Sequence, residues 1–167
     1  MAQLSIDLAA NHGQTAQMIR VQSHPFDMAA EIAALKAGNP KIGGTAVFVG
    51  SVRDMNEGRE VATLHLEHYP GMTEKALADI EQQALQRWPL EASLIIHRLG
   101  TLTVGEDIVL VICCSAHREA AFEACAFLMD WLKTSAPFWK LETGETGESW
   151  VEAKESDNQA VQRWEKD

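Results

Sequence analysis

The feature that most constrains this chain is a pair of adjoining segments with different periodicities. Asp107–Ser115 is a short run dominated by β-branched and apolar residues, as a buried strand requires. Directly after it, Ala121, Phe122, Cys125, Leu128, Met129 and Leu132 recur at helical spacing from about Arg118 to Lys133, and Pro137 ends the helix. A strand feeding a long amphipathic helix needs a sheet surface for that helix to cover.

The remaining segments supply one. Met18–Ser23 is a short strand, and Pro25-Phe26-Asp27 leads into a helix from Met28 to Ala37, with Ile32 and Leu35 apolar and Gly38 closing it. Asn39-Pro40 forms a turn. Thr45–Val52 is a buried strand, Asp54–Arg59 a polar loop, and Val61–Tyr69 an alternating strand. Thr73 caps a helix whose positions Leu77, Ile80, Ala84, Leu85 and Trp88 follow the 3.6 period and which stops at Trp88-Pro89. Ser93–Leu99 and Asp107–Ser115 form a hairpin through Gly105-Glu106-Asp107, and Phe138–Trp150 a final strand pair around Gly144 and Gly147. Two hairpins among interleaved helices argue for a mixed α+β domain over a doubly wound parallel sheet.

The chain has 167 residues, 46% of them apolar, enough for one ordinary core. The expected organisation is an extension over residues 1–17, one domain over 18–151, and a charged segment over 152–167 in which Trp164 docks. The first stretch lacks a basic n-region and a sustained apolar run, so it is no signal peptide, and nothing is long enough to span a bilayer. Against 14 Lys and Arg stand 24 Asp and Glu, a formal net charge of -10 that disfavours a nucleic-acid partner. Cys113, Cys114 and Cys125 match neither a disulfide framework nor a zinc pattern, and reduced cytoplasm is the natural compartment.

Cationic side chains are the candidates for chemistry. His117 and Arg118 stand where the strand gives way to the helix, beside unpaired backbone N–H groups and the positive dipole end, a setting suited to phosphate. A solvated pair with no role explains them equally well. Lys133 closes the helix and Lys140 follows among Phe138 and Trp139; a lysine serving as a base must lose about three pKa units, which burial and neighbouring cations supply. Arg53, after Gly50-Ser51-Val52, could grip phosphate or carboxylate bidentately. The plainer alternatives are a dipole-matching surface lysine and an ordinary loop arginine.

Other constellations fail. His65 and His68 point to opposite faces of a strand and cannot easily share a metal. Cys113 and Cys114 also face opposite ways, and Cys125 lies on the helix's apolar stripe, so all three are packing residues. His97-Arg98 is a strand end rather than a catalytic pair, and Gly43-Gly44 precedes a strand, so it is no phosphate-binding loop.

Four segments in order, Phe48-Val49-Gly50-Ser51-Val52-Arg53, Leu66-Glu67-His68-Tyr69-Pro70-Gly71-Met72, Ser115-Ala116-His117-Arg118 and Leu132-Lys133-Thr134-Ser135-Ala136-Pro137-Phe138-Trp139-Lys140, closely resemble the large subunit of molybdopterin synthase. The likeness runs from about Gly43 to Trp164. It implies an α/β-hammerhead-like mixed sheet with helices and a homodimer carrying a small ubiquitin-like sulfur-carrier subunit at each end of a heterotetramer. The implied enzyme is a sulfurtransferase of molybdenum cofactor biosynthesis. It sulfurates cyclic pyranopterin monophosphate from the small subunit's C-terminal thiocarboxylate, with no metal and no cofactor of its own. By the same resemblance, Ser51, Val52, Arg53, His117, Arg118, Lys133, Lys140, Leu141 and Glu142 bind substrate, and Phe48 and Met129 line the pocket. Lys133 leads in acid/base chemistry while Lys140 stabilises negative charge and orients the carrier tail. Ser51 and Leu141 depart from relatives that carry a basic residue at those places. Two competing readings are a non-catalytic module holding a phosphorylated ligand and a scaffold that presents a ubiquitin-like partner.

Overall fold

A computed structural model describes residues 16–152 and 154–165. In chain order the elements are β1 (Ala16–Gln22), α1 (Met28–Lys36), β2 (Gly44–Ser51), β3 (Met55–Asn56), β4 (Arg59–Glu60), β5 (Thr63–His68), α2 (Met72–Arg87) and β6 (Leu90–Arg98). There follow β7 (Gly100–Thr103), β8 (Asp107–Ser115), α3 (Arg118–Ser135), β9 (Phe138–Gly144), β10 (Gly147–Trp150) and α4 (Glu155–Gln162).

β6 and β8 read as near-continuous apolar runs because both faces of their sheet are covered. The order is β1-β6-β8-β2, with β1 parallel to β6 and the other pairs antiparallel. On one face Ile95, Val109, Val111 and Cys113 pack with Leu77, Ile80, Phe127 and Leu128 of α2 and α3. On the other, Leu94, Ile96, Leu110, Ile112 and Cys114 pack with Leu35 and Ile32 of α1. Neighbouring cysteines therefore serve different cores, as alternation along a strand demands, and all three cysteines are free and buried. A second sheet, β10-β9-β5-β7, is antiparallel throughout and buries Leu64, Leu66 and Leu102 with Val52 and Val61.

α3 contributes Ala121, Ala124, Cys125, Phe127, Leu128, Met129 and Leu132 to the core. At about 2 kcal/mol for each large apolar side chain, this face is among the main stabilising contacts. Cys125 Sγ reaches Val111 O at 4.0 Å, mid-helix over mid-strand, so α3 runs back along β8 toward Asp107. Phe122, expected on the apolar stripe, is instead 65% exposed. It lies on the solvent side of a stripe set by Ala121, Ala124 and Cys125.

Several expectations need correction. Thr73 lies inside α2; Gly71 is the N-cap, at φ 84, and its N–H donates to Glu74 Oε2 at 2.7 Å. Thr73 Oγ1 instead accepts from Tyr69 N and donates to Pro137 O, tying α2 to the start of β9. Asp54–Arg59 is not all loop, because β3 and β4 pair as a small hairpin turning at Glu57 and Gly58, both with positive φ. β6 and β8 are antiparallel neighbours, but not a simple hairpin. Gly100, at φ 84, turns the chain out of the first sheet so that β7 pairs with β5. The charged C-terminal segment contains α4, and after it Trp164 donates to Asp130 Oδ2 at 2.8 Å and meets Trp88 and Phe127 edge-on. The expected N-terminal extension lies outside the described residues except for Ala16 and Gln17, which open β1. No described helix is long and apolar enough to cross a membrane.

One buried acid makes stability depend on pH. Glu81 of α2 is 3% exposed and accepts from Ser93 Oγ. Burial raises its pKa from 4.5 to about 7, against the opposing bonds from Ser93 and the Met18 backbone. The fold favours the protonated form, so its contribution is complete below about pH 4.5 and is lost as pH rises to about 7. The full difference is about 3 kcal/mol. Glu81→Gln is expected to weaken the fall in stability over that window and to be more stable than wild type above it, as urea denaturation at several pH values will measure.

Candidate functional site

The site residues are placed by the two ends of α3. At its start, His117 is the N-cap in extended conformation and Arg118 the first helical residue; both side chains are exposed. No side chain caps this end, which leaves its backbone donors available to an anion. The corner is built by close backbone approach. Gly43 N donates to Ser115 O at 3.0 Å, and a Cβ on Gly43 would lie 2.2 Å from Ala116 O. A Cβ on Gly44 would lie 3.1 Å from Arg118 Cα. The glycine pair is thus no phosphate loop itself, but it lets β2 pass flush against the corner that carries His117 and Arg118.

The other end of α3 carries Lys133, exposed in the last turn. Lys140 sits on β9 opposite Leu66 of β5, and its carbonyl accepts from Val151 N at 2.8 Å. Burial lowers the Lys140 pKa from its ordinary value and the charge of Lys133 lowers it further, while Asp157 and Glu142 pull the other way. A half-buried amine beside a second cation is the environment that makes a lysine a usable acid or base near neutrality. Glu142 shares the Lys140 face of β9 and accepts from Asn56 Nδ2 at 2.9 and 3.0 Å, pinning the β3–β4 hairpin to the second sheet. Leu141, between them, points to the opposite face, as do its cross-strand neighbours His65 and Trp150.

Arg53 joins the lysine end. β2 pairs with β8 from Gly44↔Ser115 to Ser51↔Asp107, with a register shift after Gly50. Beyond it Val52 N donates to Glu106 O, Gly105 N donates to Val52 O, and Ser51 Oγ donates to Asp107 Oδ1 at 2.7 Å. Val52 is buried in the second sheet's core, which leaves Arg53 exposed at the Asp107 end. Met129 is buried in the α2–α3 core, whereas Phe48, on edge strand β2, is 39% exposed.

The cations thus fall into two groups. Arg53, Lys133 and Lys140 share one end of the first sheet, and His117 and Arg118 the other. At ~1.5 Å per residue, the helix separates His117 from Lys133 by ~24 Å. A polar cavity of about 380 Å³, lined by Asn56, Glu57, Arg59, Glu142, Trp150 and Lys154 among others, includes Glu142 but none of these five cations. Among the described residues no group of three His, Cys, Asp or Glu could hold a metal ion. His65 and His68 have separate partners on their opposite faces: His65 meets Thr101 and Glu67, and His68 meets Glu74 at 3.2 Å.

His97-Arg98 ends β6, as expected, and its contacts reach beyond that strand. His97 is buried against the ring of Phe138, two residues before Lys140. Arg98 is buried too, donating to Glu106 Oε1, Asp107 O and Ser23 O. No local pattern announces either, because the partners of both lie on other elements, and the His97–Phe138 contact joins two sheets.

This is an α+β domain in which two lysines, one of them half-buried, and an arginine lie at one end of the first sheet. The family model described as MoaE protein matches residues 21–135, and the chain belongs to that family. It is 58% identical over 147 residues to the molybdopterin synthase catalytic subunit of Pseudomonas aeruginosa, covering 88% of this chain and 98% of that one. To the protein of the same name from Ralstonia nicotianae it is 56% identical over 146 residues, covering 87% and 83%. Among solved structures it resembles the molybdopterin biosynthesis MoaE protein of Burkholderia ambifaria, with TM-score 0.77, 49% identity, and 92% and 100% of the two chains covered.

The corner glycines offer a direct check. Gly43→Ala forces a side chain onto the Ala116 carbonyl and is expected to destabilise the fold by about 1–3 kcal/mol, the usual result of overpacking. Chemical denaturation of the variant beside wild type measures it.

Proposed function

We propose that this chain is the catalytic subunit of a molybdopterin synthase. In this reading it transfers sulfur from the C-terminal thiocarboxylate of a small ubiquitin-like carrier subunit to cyclic pyranopterin monophosphate, forming the dithiolene of molybdopterin. Membership of the MoaE family supports it, and the observation that carries it is the half-buried Lys140 amine beside Lys133, at the end of the sheet that also presents Arg53.

Each transfer forms a bond from the thiocarboxylate sulfur to a precursor carbon while that carbon's bond to oxygen breaks, the oxygen leaving as water or, where the cyclic phosphate opens, as a phosphate oxygen; a second water then cleaves the acyl–sulfur bond and leaves the carrier as a carboxylate. Both steps move protons and develop negative charge, the two tasks that a lysine pair serves. Burial equips Lys140, more than the exposed Lys133 to which the sequence reading gave that part, for proton transfer. Lys133, exposed at the mouth of the site, is suited to hold negative charge and the carrier tail. Arg53 supplies a fork for phosphate or carboxylate.

His117 and Arg118 cannot join this group within one chain, because α3 holds them roughly 24 Å away. A small pterin phosphate does not reach that far. A site containing all five cations therefore draws His117 and Arg118 from a second copy, which gives the homodimer a chemical reason to exist. The cytoplasm is the compartment in this reading, in keeping with three buried free thiols.

The test is a single-turnover reaction of the full-length chain with thiocarboxylated small subunit and cyclic pyranopterin monophosphate, scored for dithiolene. Wild type is expected to form product. Lys140→Ala is expected to slow it by on the order of 100-fold or more, as loss of a positioned acid or base does. Lys133→Ala is expected to be slowed as well. Binding of both partners without product from wild type would leave only a binding module.

A further inference from the structure

The buried face of the second sheet holds a group that the proposed chemistry does not use. His97, near the end of β6, is 2% exposed. Its ring lies on that of Phe138 with centroids 3.6 Å apart and planes 14° from parallel. Nδ1 lies 2.8 Å from Arg98 O, so the ring places its N–H there and is fixed in rotation. Phe138 pairs in register with His68, and Lys140 follows two residues later on the same face of β9. The first residues of β9 are thus clamped between β5 by backbone pairing and β6 by ring stacking.

We propose that His97 is a positioning residue for Lys140: its anchored ring is the platform on which Phe138 stacks, and that stack fixes where β9 presents the lysine and keeps water from its stem. A histidine suits the place because it combines a flat apolar face with one polar edge for the Arg98 carbonyl. Burial also drives its pKa from 6.5 to about 3, with the charges of Lys140 and His68 acting in the same direction against the bond to Arg98. The platform is therefore uncharged at any working pH and adds no ion pair that would hold Lys140 protonated. The charged and titratable groups facing the amine are Lys133 from α3, Asp157 from α4, Glu142 on β9 and the imidazole of His97, which His68 in turn faces. Among the described residues none of the carboxylates forms a close ion pair with it, so burial and the Lys133 charge outweigh the opposing pull of Asp157 and Glu142.

The effect on turnover rests on the sulfur-transfer reading, but the effect on the amine does not, and the two are measured separately. Competitive acetylation of the full-length chain, followed by mass spectrometry over the alkaline range, gives the titration midpoint of Lys140, with exposed Lys41 as internal reference. His97→Leu keeps apolar volume and loses the flat stack, His97→Phe keeps the stack, and His97→Ala loses both. In His97→Leu and His97→Ala the Lys140 midpoint is expected to rise toward ordinary lysine, with Lys41 unmoved, while His97→Phe stays near wild type. The single-turnover rate at saturating precursor is expected to fall on the order of 10–100-fold in the first two variants, with little change in precursor affinity. If His97→Ala does not fold, as circular dichroism will show, His97→Leu carries the comparison. A folded His97→Leu whose Lys140 titrates as in wild type overturns the proposal. A wild-type protein that makes no product overturns the sulfur-transfer reading alone and leaves the labelling result to decide the role of His97.

Discussion

Everything at the site depends on how α3 lies on β8. Seven of its side chains, Phe127 and Leu128 foremost, are buried against the sheet and α2, and Cys125 meets Val111 where the middle of one element crosses the middle of the other. Because the helix starts at the end of the strand and returns along it, its two termini lie over opposite ends of the sheet. The strand-to-helix corner carries His117 and Arg118, the far end Lys133. This packing is what divides the cations.

The second sheet completes the lysine end. It would be a separate layer but for three ties: Val52 crossing from β2 into its core, the Thr73 hydroxyl bridging α2 to Pro137, and Phe138 stacked on His97. The last two hold the start of β9, against α2 and β6 respectively. Lys140 can therefore be half-buried with no ion pair among the described residues, a costly placement that a floppy strand would relieve by turning the amine to water. The C-terminal segment adds a lid-like neighbour, with Val151 bonded to the Lys140 carbonyl and Trp164 and Arg163 held by Asp130.

Much of this was legible in the sequence where one element's own pattern decides. The strand–helix succession from Asp107 to Lys133, the proline stops, the alternate faces of Cys113 and Cys114, and the cations at both ends of α3 all follow from local periodicity. What failed involved a second element. Thr73 looks like a cap by type, yet Gly71 takes that place because only a positive φ turns the chain there, and the hydroxyl serves Pro137 instead. β7 was invisible because Gly100 redirects four residues to another sheet. His97 has no local signature; its partner lies some forty residues away. The separation of His117 from Lys133 was implicit in a sixteen-residue helical interval, but its consequence for the number of chains in a site emerges only with Arg53 located at the lysine end.

The most direct test of this account mixes two inactive chains. One carries His117→Ala with Arg118→Ala, the other Lys133→Ala with Lys140→Ala, and they are unfolded, combined and refolded together before the single-turnover assay. If each site takes its two cation groups from different copies, half of the dimers are mixed, each with one intact site, and about a quarter of wild-type product formation returns. Failure of the mixture to exceed either parent, with mixed dimers demonstrated by mass, would contradict the division of the site by α3.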